Sequence, residues 1–467
     1  MENVKQAPKF STKKRLQWGI ASFGGSMISG IYGALLPIFY LDYLGLTENA
    51  AIIYLIQIVY VVVNALNDPL FGILSDRSKL KKGRRIPFMR YTAPFLALTF
   101  ILIWLSPTAA SGEWAIFWWM VVMTCLYDTS YTIIFLVYSA LLPEVTEDEQ
   151  ERNALQVFAS FFNLIGMIVG FLIPDLFRNQ DALLLIISMI VVGIVGALLI
   201  MYTTYQFEER SEFQIVDEPL GFIDSLKYTF KSKSFVVLVS ANFMAILVQS
   251  LVIGSMYYLA DYIVQTSSIV LLVCIFVPLI IGIWLTPKLI YKWGVAKSNQ
   301  ILLLVSGLGL FSLTFMPINE LIYVCLVIAS IGFIGPLVFN NVMFAQVADE
   351  DELRTGVRRE AVFFGVNALI TKPAQSLAIV IPTALLAATS FIPHPLGTDP
   401  VLNQPAGVFV AIRIFIGLIP GIAFLLAAFI LRYYPIRGEY WKKIQKDVLV
   451  LHEQKHSKLK EMGRKED

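Results

Sequence analysis

Twelve apolar runs of about 20 residues or more follow one another along the chain and leave it few ways to fold. The hydrocarbon core of a bilayer is about 30 Å thick, and a helix crosses it in about 20 residues. Backbone N–H and C=O groups inside hydrocarbon find no water, so each run is expected to be a helix that bonds its own main chain. The runs are read at roughly 17–43, 50–75, 88–107, 114–142, 154–176, 182–204, 236–262, 267–291, 299–317, 320–347, 361–388 and 406–432. Charged residues make up 15% of the chain and hydrophobic ones 57%, against about 25% charged in an average soluble domain. The expected fold class is an all-α membrane protein with twelve transmembrane helices.

The remaining composition excludes several classes of function. The net charge is +2, and the basic residues are scattered over many short loops, which argues against a nucleic-acid partner. Cys125, Cys274 and Cys325 all fall in apolar runs, and no C-x-x-C occurs, so neither a disulfide framework nor a zinc site is indicated. His394, His452 and His456 lie outside the runs, which argues against a histidine proton relay in the membrane. No G-x-x-x-x-G-K loop for nucleotide phosphates appears, and no nucleophile–base cluster suggests an enzyme. The segment up to about Leu16 is polar and basic without a short apolar core, so the first span is expected to be an uncleaved anchor.

The longest internal polar stretch, 205–235, separates two groups of six runs. We read a first half over 1–204, a linker over 205–235, a second half over 236–433 and a tail over 434–467. Lysine and arginine mark one side of the membrane: Lys13, Lys14 and Arg15 before the first run, Arg77 to Arg85 after the second, Lys288, Lys292 and Lys297 after the eighth. By the positive-inside rule both termini are expected in the cytoplasm. The tail is either an interfacial helix or a solvated coil. Acidic-then-basic stretches close the fourth run of each half, at Leu142–Arg152 and Val347–Arg354, as in a parallel repeat.

Within the apolar runs a few polar residues stand out. Asn64, Asn67 and Asp68 share a helical face, and Pro69 frees the carbonyl of Ala65. A carboxylate, two amides and a released carbonyl suit a small cation or a proton. Asp128 lies in Tyr127-Asp128-Thr129-Ser130-Tyr131-Thr132, where a carboxylate and tyrosine rings suit a polyhydroxylated ligand. Lys372, before Pro373, needs a counter-charge, for which Asp68 and Asp128 are the candidates. Asp76, Arg77, Arg84 and Arg85, with Glu144, Arg152, Asp349, Arg358 and Arg359, are candidates for ion pairs that hold the cytoplasmic side shut. The alternative for the basic members is plain topology.

At these residues the chain resembles the glycoside–pentoside–hexuronide:cation symporters, the melibiose permease branch of the major facilitator superfamily. The resemblance runs over nearly the whole chain and is most specific at Asn64 to Arg85, Tyr127 to Arg152 and Asp349 to Pro373. It implies a major facilitator fold of two six-helix halves and alternating access, with a sugar or glycoside moving with Na⁺, Li⁺ or H⁺. It matches Asp68 to the second of two cation-binding acids, with Asn64 at the position of the first. One carboxylate in place of two implies a proton or a weaker Na⁺ site. Asp128 matches a sugar-binding acid and Lys372 a lysine of the eleventh span. In the first span only Gly25 and Ser26 stand where the permease has a Lys-Asp pair, and a residue near Ser160 replaces a sugar-binding arginine.

The function expected is therefore a cation-coupled symporter of a sugar, glycoside or related small solute, in the plasma membrane. No cofactor is expected beyond the coupling H⁺ or Na⁺, and the protein is expected to act as a monomer in the lipid bilayer. Two alternatives keep the fold: a transporter of lysolipids or other amphiphiles, and a receptor or sensor that binds without transporting.

Overall fold

A computed structural model of the chain describes residues 10–44, 46, 50–76, 85–108, 111–145, 149–177, 181–207, 229–317, 320–355, 360–394, 398–448 and 450–451. Among the described residues there are helices and turns and no strand. The first six spans are α1 (Thr12–Ile38), α2 (Ala50–Asp76), α3 (Ile86–Trp104), α4 (Glu113–Val145), α5 (Glu149–Phe177) and α6 (Ala182–Gln206). The next three are α7 (Lys233–Gly254), α8 (Ser268–Trp293) and α9 (Val295–Leu313). The tenth, α10, runs in pieces: Leu321–Ser330, a 3₁₀ turn at Ile331–Phe333, a π turn at Gly335–Phe339, and Asn340–Thr355. Then come α11 (Glu360–Ala388) and α12, which is Ala406–Arg413, a π turn at Ile414–Leu418 and Ile419–Leu431. Among the described residues eleven of these segments are long and apolar enough to cross a bilayer, and α2 adds a shorter apolar stretch, Ala51–Asn67.

The helix ends have local causes. Ser11 caps α1 by accepting from the Lys14 backbone N–H, and Asp181 caps α6 by accepting from that of Leu183. The ninth run, read from 299, begins at Val295, because Gly294 takes φ 77° and the helix restarts directly after it. Val295 and Ala296 are buried, so packing supplies what the apolar count missed. Pro336 has no N–H to give, and the π turn at Gly335–Phe339 falls where it sits.

The chain divides into two compact units: Met1–Pro219 with Ile253–Val270 and Ser376–Ile412, and Leu220–Val252 with Leu271–Gln375 and Arg413–Asp467. In the first, α1 packs against α5 and α6, α3 against α4 and α6, and α2 against α4. The later segments join it through the Tyr257 hydroxyl, which donates to the Phe171 carbonyl at 2.7 Å, and through Ser268 Oγ, 2.8 Å from Asp175 Oδ1. Tyr43 and His394 meet edge to face. In the second unit α9 packs on α10 and α12. Residues 438–448 form a helix that buries Ile444 and Val448, and Tyr440 donates to Glu350 Oε1 at 2.9 Å. This stretch of the tail is thus helical and packed rather than coil.

The α1–α5 contact depends on two small residues one turn apart. Gly166 and Gly170 of α5 lie against the backbone carbonyls of Phe23 and Met27 of α1, with no room for a Cβ at either. Close backbone approach of this kind is a main source of helix adhesion in lipid, where apolar side chains gain nothing over acyl tails. Gly170→Leu is therefore expected to cost more than about 3 kcal/mol by overpacking. The check is the yield and melting temperature of the purified protein, and a variant that melts like the parent would remove this contact from the account.

Candidate functional site

The site in the first unit is built on one face of α2. Tyr60, Asn64 and Asn67 recur at intervals of four and three and are all buried. They face α4. Asp128, 8% exposed, accepts from the Tyr60 hydroxyl at 3.1 Å and from Asn67 Nδ2 at 2.8 Å. Asn67 also accepts, from Thr129 Oγ1 at 3.2 Å. One amide thus engages two successive residues of α4, and its orientation is fixed by both bonds. A buried carboxylate is tolerable only with such donors.

Aromatic rings form the next wall. Tyr32 of α1 stacks on Tyr127 at 4.4 Å, Tyr127 meets Tyr131 at 6.1 Å, and Tyr131 meets Phe135 at 4.5 Å. The Tyr131 hydroxyl donates to Ser29 Oγ at 3.4 Å, and Ser29 Oγ lies 3.4 Å from the Ser26 carbonyl. Ser26 Oγ accepts from Asn163 Nδ2 of α5 at 2.5 Å. A polar track therefore passes from α4 through α1 to α5.

On α5 the exposed surface has two characters. Gln156, Ser160 and Asn163 are exposed at intervals of four and three, while Val157 and Phe161 are exposed about a quarter turn away. An apolar exposed face suits acyl chains. An exposed face of amides and a hydroxyl inside a membrane span suits water or a polar ligand.

The second unit has its own polar cluster. Asn340 Nδ2 donates to Asn242 Oδ1, and Asn242 Nδ2 donates to Asn367 Oδ1 at 2.8 Å. These asparagines come from α10, α7 and α11, and Asn340 is the first residue after the π turn. Asn340 and Asn299 also line a cleft too narrow for water, and the Asn299 Oδ1 has no hydrogen-bond partner among the described residues. Lys372, half-buried on α11, follows Thr371, whose hydroxyl donates to the Asn367 carbonyl at 2.9 Å.

Of the residues singled out in the sequence, Asn67, Asp128, Tyr127, Tyr131 and Ser26 come together in the first unit, with Asn64 buried on the same α2 face. Asp68 is part of α2, but its side chain lies outside the described residues, as do those of Asp76, Glu144 and Arg152. Arg77, Arg84, Arg358 and Arg359 lie outside them altogether. Arg85 precedes α3, and Asp349 lies in the last piece of α10.

Two ion pairs are described in full: Arg15 with Glu151, and Arg354 with Asp351 at 2.9 Å. Arg15 grips both oxygens of the buried Glu151, at 2.9 and 3.0 Å, and Glu151 stands in the first turn of α5, where a carboxylate also meets the helix dipole. Lys14 and Arg90 donate to the carbonyls of Gln206 and Thr204, the last of α6.

Sequence reading missed Tyr60, although its spacing from Asn64 and Asn67 was a usable signal. The stripe Gln156, Ser160, Asn163 was equally legible as spacing. Asn242, Asn340 and Asn367 each stand far apart in sequence, so only the fold joins them.

A family model described as MFS/sugar transport protein matches residues 18–438. The chain belongs to this family. It is 25% identical over 460 residues to the uncharacterised symporter YnaJ of Bacillus subtilis strain 168, covering 96% of each chain. It is 21% identical over 442 residues to the sodium-dependent lysophosphatidylcholine symporter 1 of Gallus gallus, covering 84% of this chain and 81% of the relative. The crystal structure of a D-xylose–proton symporter superposes with a TM-score of 0.61 at 16% identity, over 90% of this chain and 96% of that one. The fold is that of the multi-pass transporters of the superfamily.

Tyr60→Phe removes one of the two donors described on Asp128. The expected loss is about 1.5–3 kcal/mol, the range for a bond to a charged group, read as a lower melting temperature in detergent. Asn67→Ala is expected to cost more, since it takes a donor from Asp128 and an acceptor from Thr129. If Tyr60→Phe melts with the parent, Asp128 does not depend on that hydroxyl.

Proposed function

We propose that the protein is a cation-coupled symporter that carries a sugar, glycoside or related small polar solute across the plasma membrane by alternating access, with both termini in the cytoplasm. The observation that carries this reading is the bond from Asn67 to Asp128. Asn67 precedes Asp68, the residue we assign to the coupling cation together with Asn64. Asp128 is the residue we assign to the ligand hydroxyls, with Tyr127 and Tyr131 offering ring faces and Ser26 a hydroxyl. A cation drawn to Asp68 reorients Asn67, and through it the carboxylate that receives the solute. Binding of one partner thereby favours the other, and by linkage the effect is reciprocal. Lys372 is assigned as the charge that answers these carboxylates from the second half. The coupling ion is H⁺ or Na⁺.

The α5 face supports a neutral, hydroxyl-rich cargo, because Gln156, Ser160 and Asn163 offer donors and acceptors without charge. A second reading, transport of a lysolipid or similar amphiphile, is favoured by the likeness to the lysophosphatidylcholine symporter.

The test is uptake into proteoliposomes with an imposed Na⁺ or pH gradient, run against panels of glycosides, free sugars and lysolipids. The parent is expected to concentrate one of these only with a gradient. Asp68→Asn is expected to fall to the equilibrium level while still folded. Asp128→Asn is expected to lose at least about tenfold in uptake, the equivalent of roughly 1.4 kcal/mol. Concentrative uptake by Asp68→Asn at the parent's rate would overturn the cation assignment.

A further inference from the structure

The hairpin of α8 and α9 carries charge that the transport reading does not use. From 262 to 319 the sequence holds three lysines, Lys288, Lys292 and Lys297, with no Asp, Glu or Arg. All three are exposed, and among the described residues none makes an ion pair or a hydrogen bond. Lys292 lies over the ring of Trp293, 5.2 Å from its centroid. The positive charge of this hairpin end is therefore uncompensated by its own chain segment.

The chemistry of the α8 surface says what lies next to it. One stripe is exposed along the helix at intervals of three and four: Val273, Val277, Ile281, Trp284, Lys288 and Tyr291. Its first members are apolar, and in a membrane span such a stripe faces acyl chains. At Trp284, 81% exposed, the stripe becomes amphipathic, and one turn on it is cationic. Tyr291 is 95% exposed. Tryptophan and tyrosine favour the level of the lipid headgroups, and lysine reaches that level while its stem stays against apolar surface. Lys297, in the first turn of α9, adds a third ammonium at the same end of the hairpin.

We propose that this end of the hairpin binds the headgroup of an anionic phospholipid. The phosphate is held by Lys288, Lys292 and Lys297, and the acyl chains lie along the α8 stripe below Trp284. The occupant is set by continuity: the same stripe that turns cationic at Lys288 is exposed and apolar in the turns before it, as acyl chains require. A soluble anion would have no use for the apolar part, and a protein partner would need acidic groups at headgroup depth.

The test uses the full chain in vesicles of phosphatidylcholine with and without phosphatidylglycerol, followed by native mass spectrometry of the lipids retained on release. The parent is expected to retain phosphatidylglycerol over phosphatidylcholine, more strongly at low salt. Each lysine near an anionic surface is worth roughly fivefold in affinity, so K288Q/K292Q/K297Q is expected to lose on the order of a hundredfold in retention. The arginine set K288R/K292R/K297R is expected to keep it, which guards against a folding defect in the glutamine set. A control, K442Q/K443Q in the tail, is expected to change nothing. Equal retention by the parent and the glutamine set would overturn the proposal and leave the lysines as topology signals only. An equal loss in the tail control would also overturn it, by showing that any lysine serves.

Discussion

A polar group in a membrane span costs free energy unless it finds a partner, and much of the structure is organised around meeting that demand. The main chain meets it within each helix. The side chains meet it across helices: Asp128 draws on Tyr60 and Asn67, Ser26 on Asn163, and the asparagines of the second unit on one another. Each of these bonds fixes which faces of two helices meet. The polar residues therefore choose the pairing of helices that apolar packing alone would leave open.

Asn67 is where this demand bears on the site proposed for cation and solute. It is next to one carboxylate, Asp68, in sequence and bonded to another, Asp128, in space. An amide is suited to that position because it presents a donor and an acceptor on one rigid plane. Both ends are engaged with α4, at Asp128 and Thr129, so a shift on one side is not absorbed by rotation alone. A lysine or a carboxylate there would add charge beside Asp128; an apolar residue would leave Asp128 with one fewer donor.

The spans were legible because the thickness of the bilayer dictates their length and because water is excluded from their interior. Most boundaries fall within a few residues of the apolar runs, and the larger departures have particular causes. Gly294 moves the start of α9, and α10 continues in helical form past its apolar part to Thr355. Asp128 and Asn67 were each visible as polar residues in apolar sequence, but not as partners, since they are 61 positions apart. Sequence grouped Asn67 with Asp68 along one helix; the fold turns its amide toward another. The π turns in α10 and α12 left no periodic signal, and the amides of α7, α10 and α11 are single residues whose meaning comes only from assembly.

The backbone contact of α1 and α5 has a mechanical consequence. Glycines at 166 and 170 bring the two main chains together without intervening side chains, so any turn that presents a larger residue here would push the helices apart. The Arg15–Glu151 grip pins the same pair near their first turns. The two helices therefore form a single welded beam, and the spacing of Ser26 and Asn163, both mounted on it, is set by that weld.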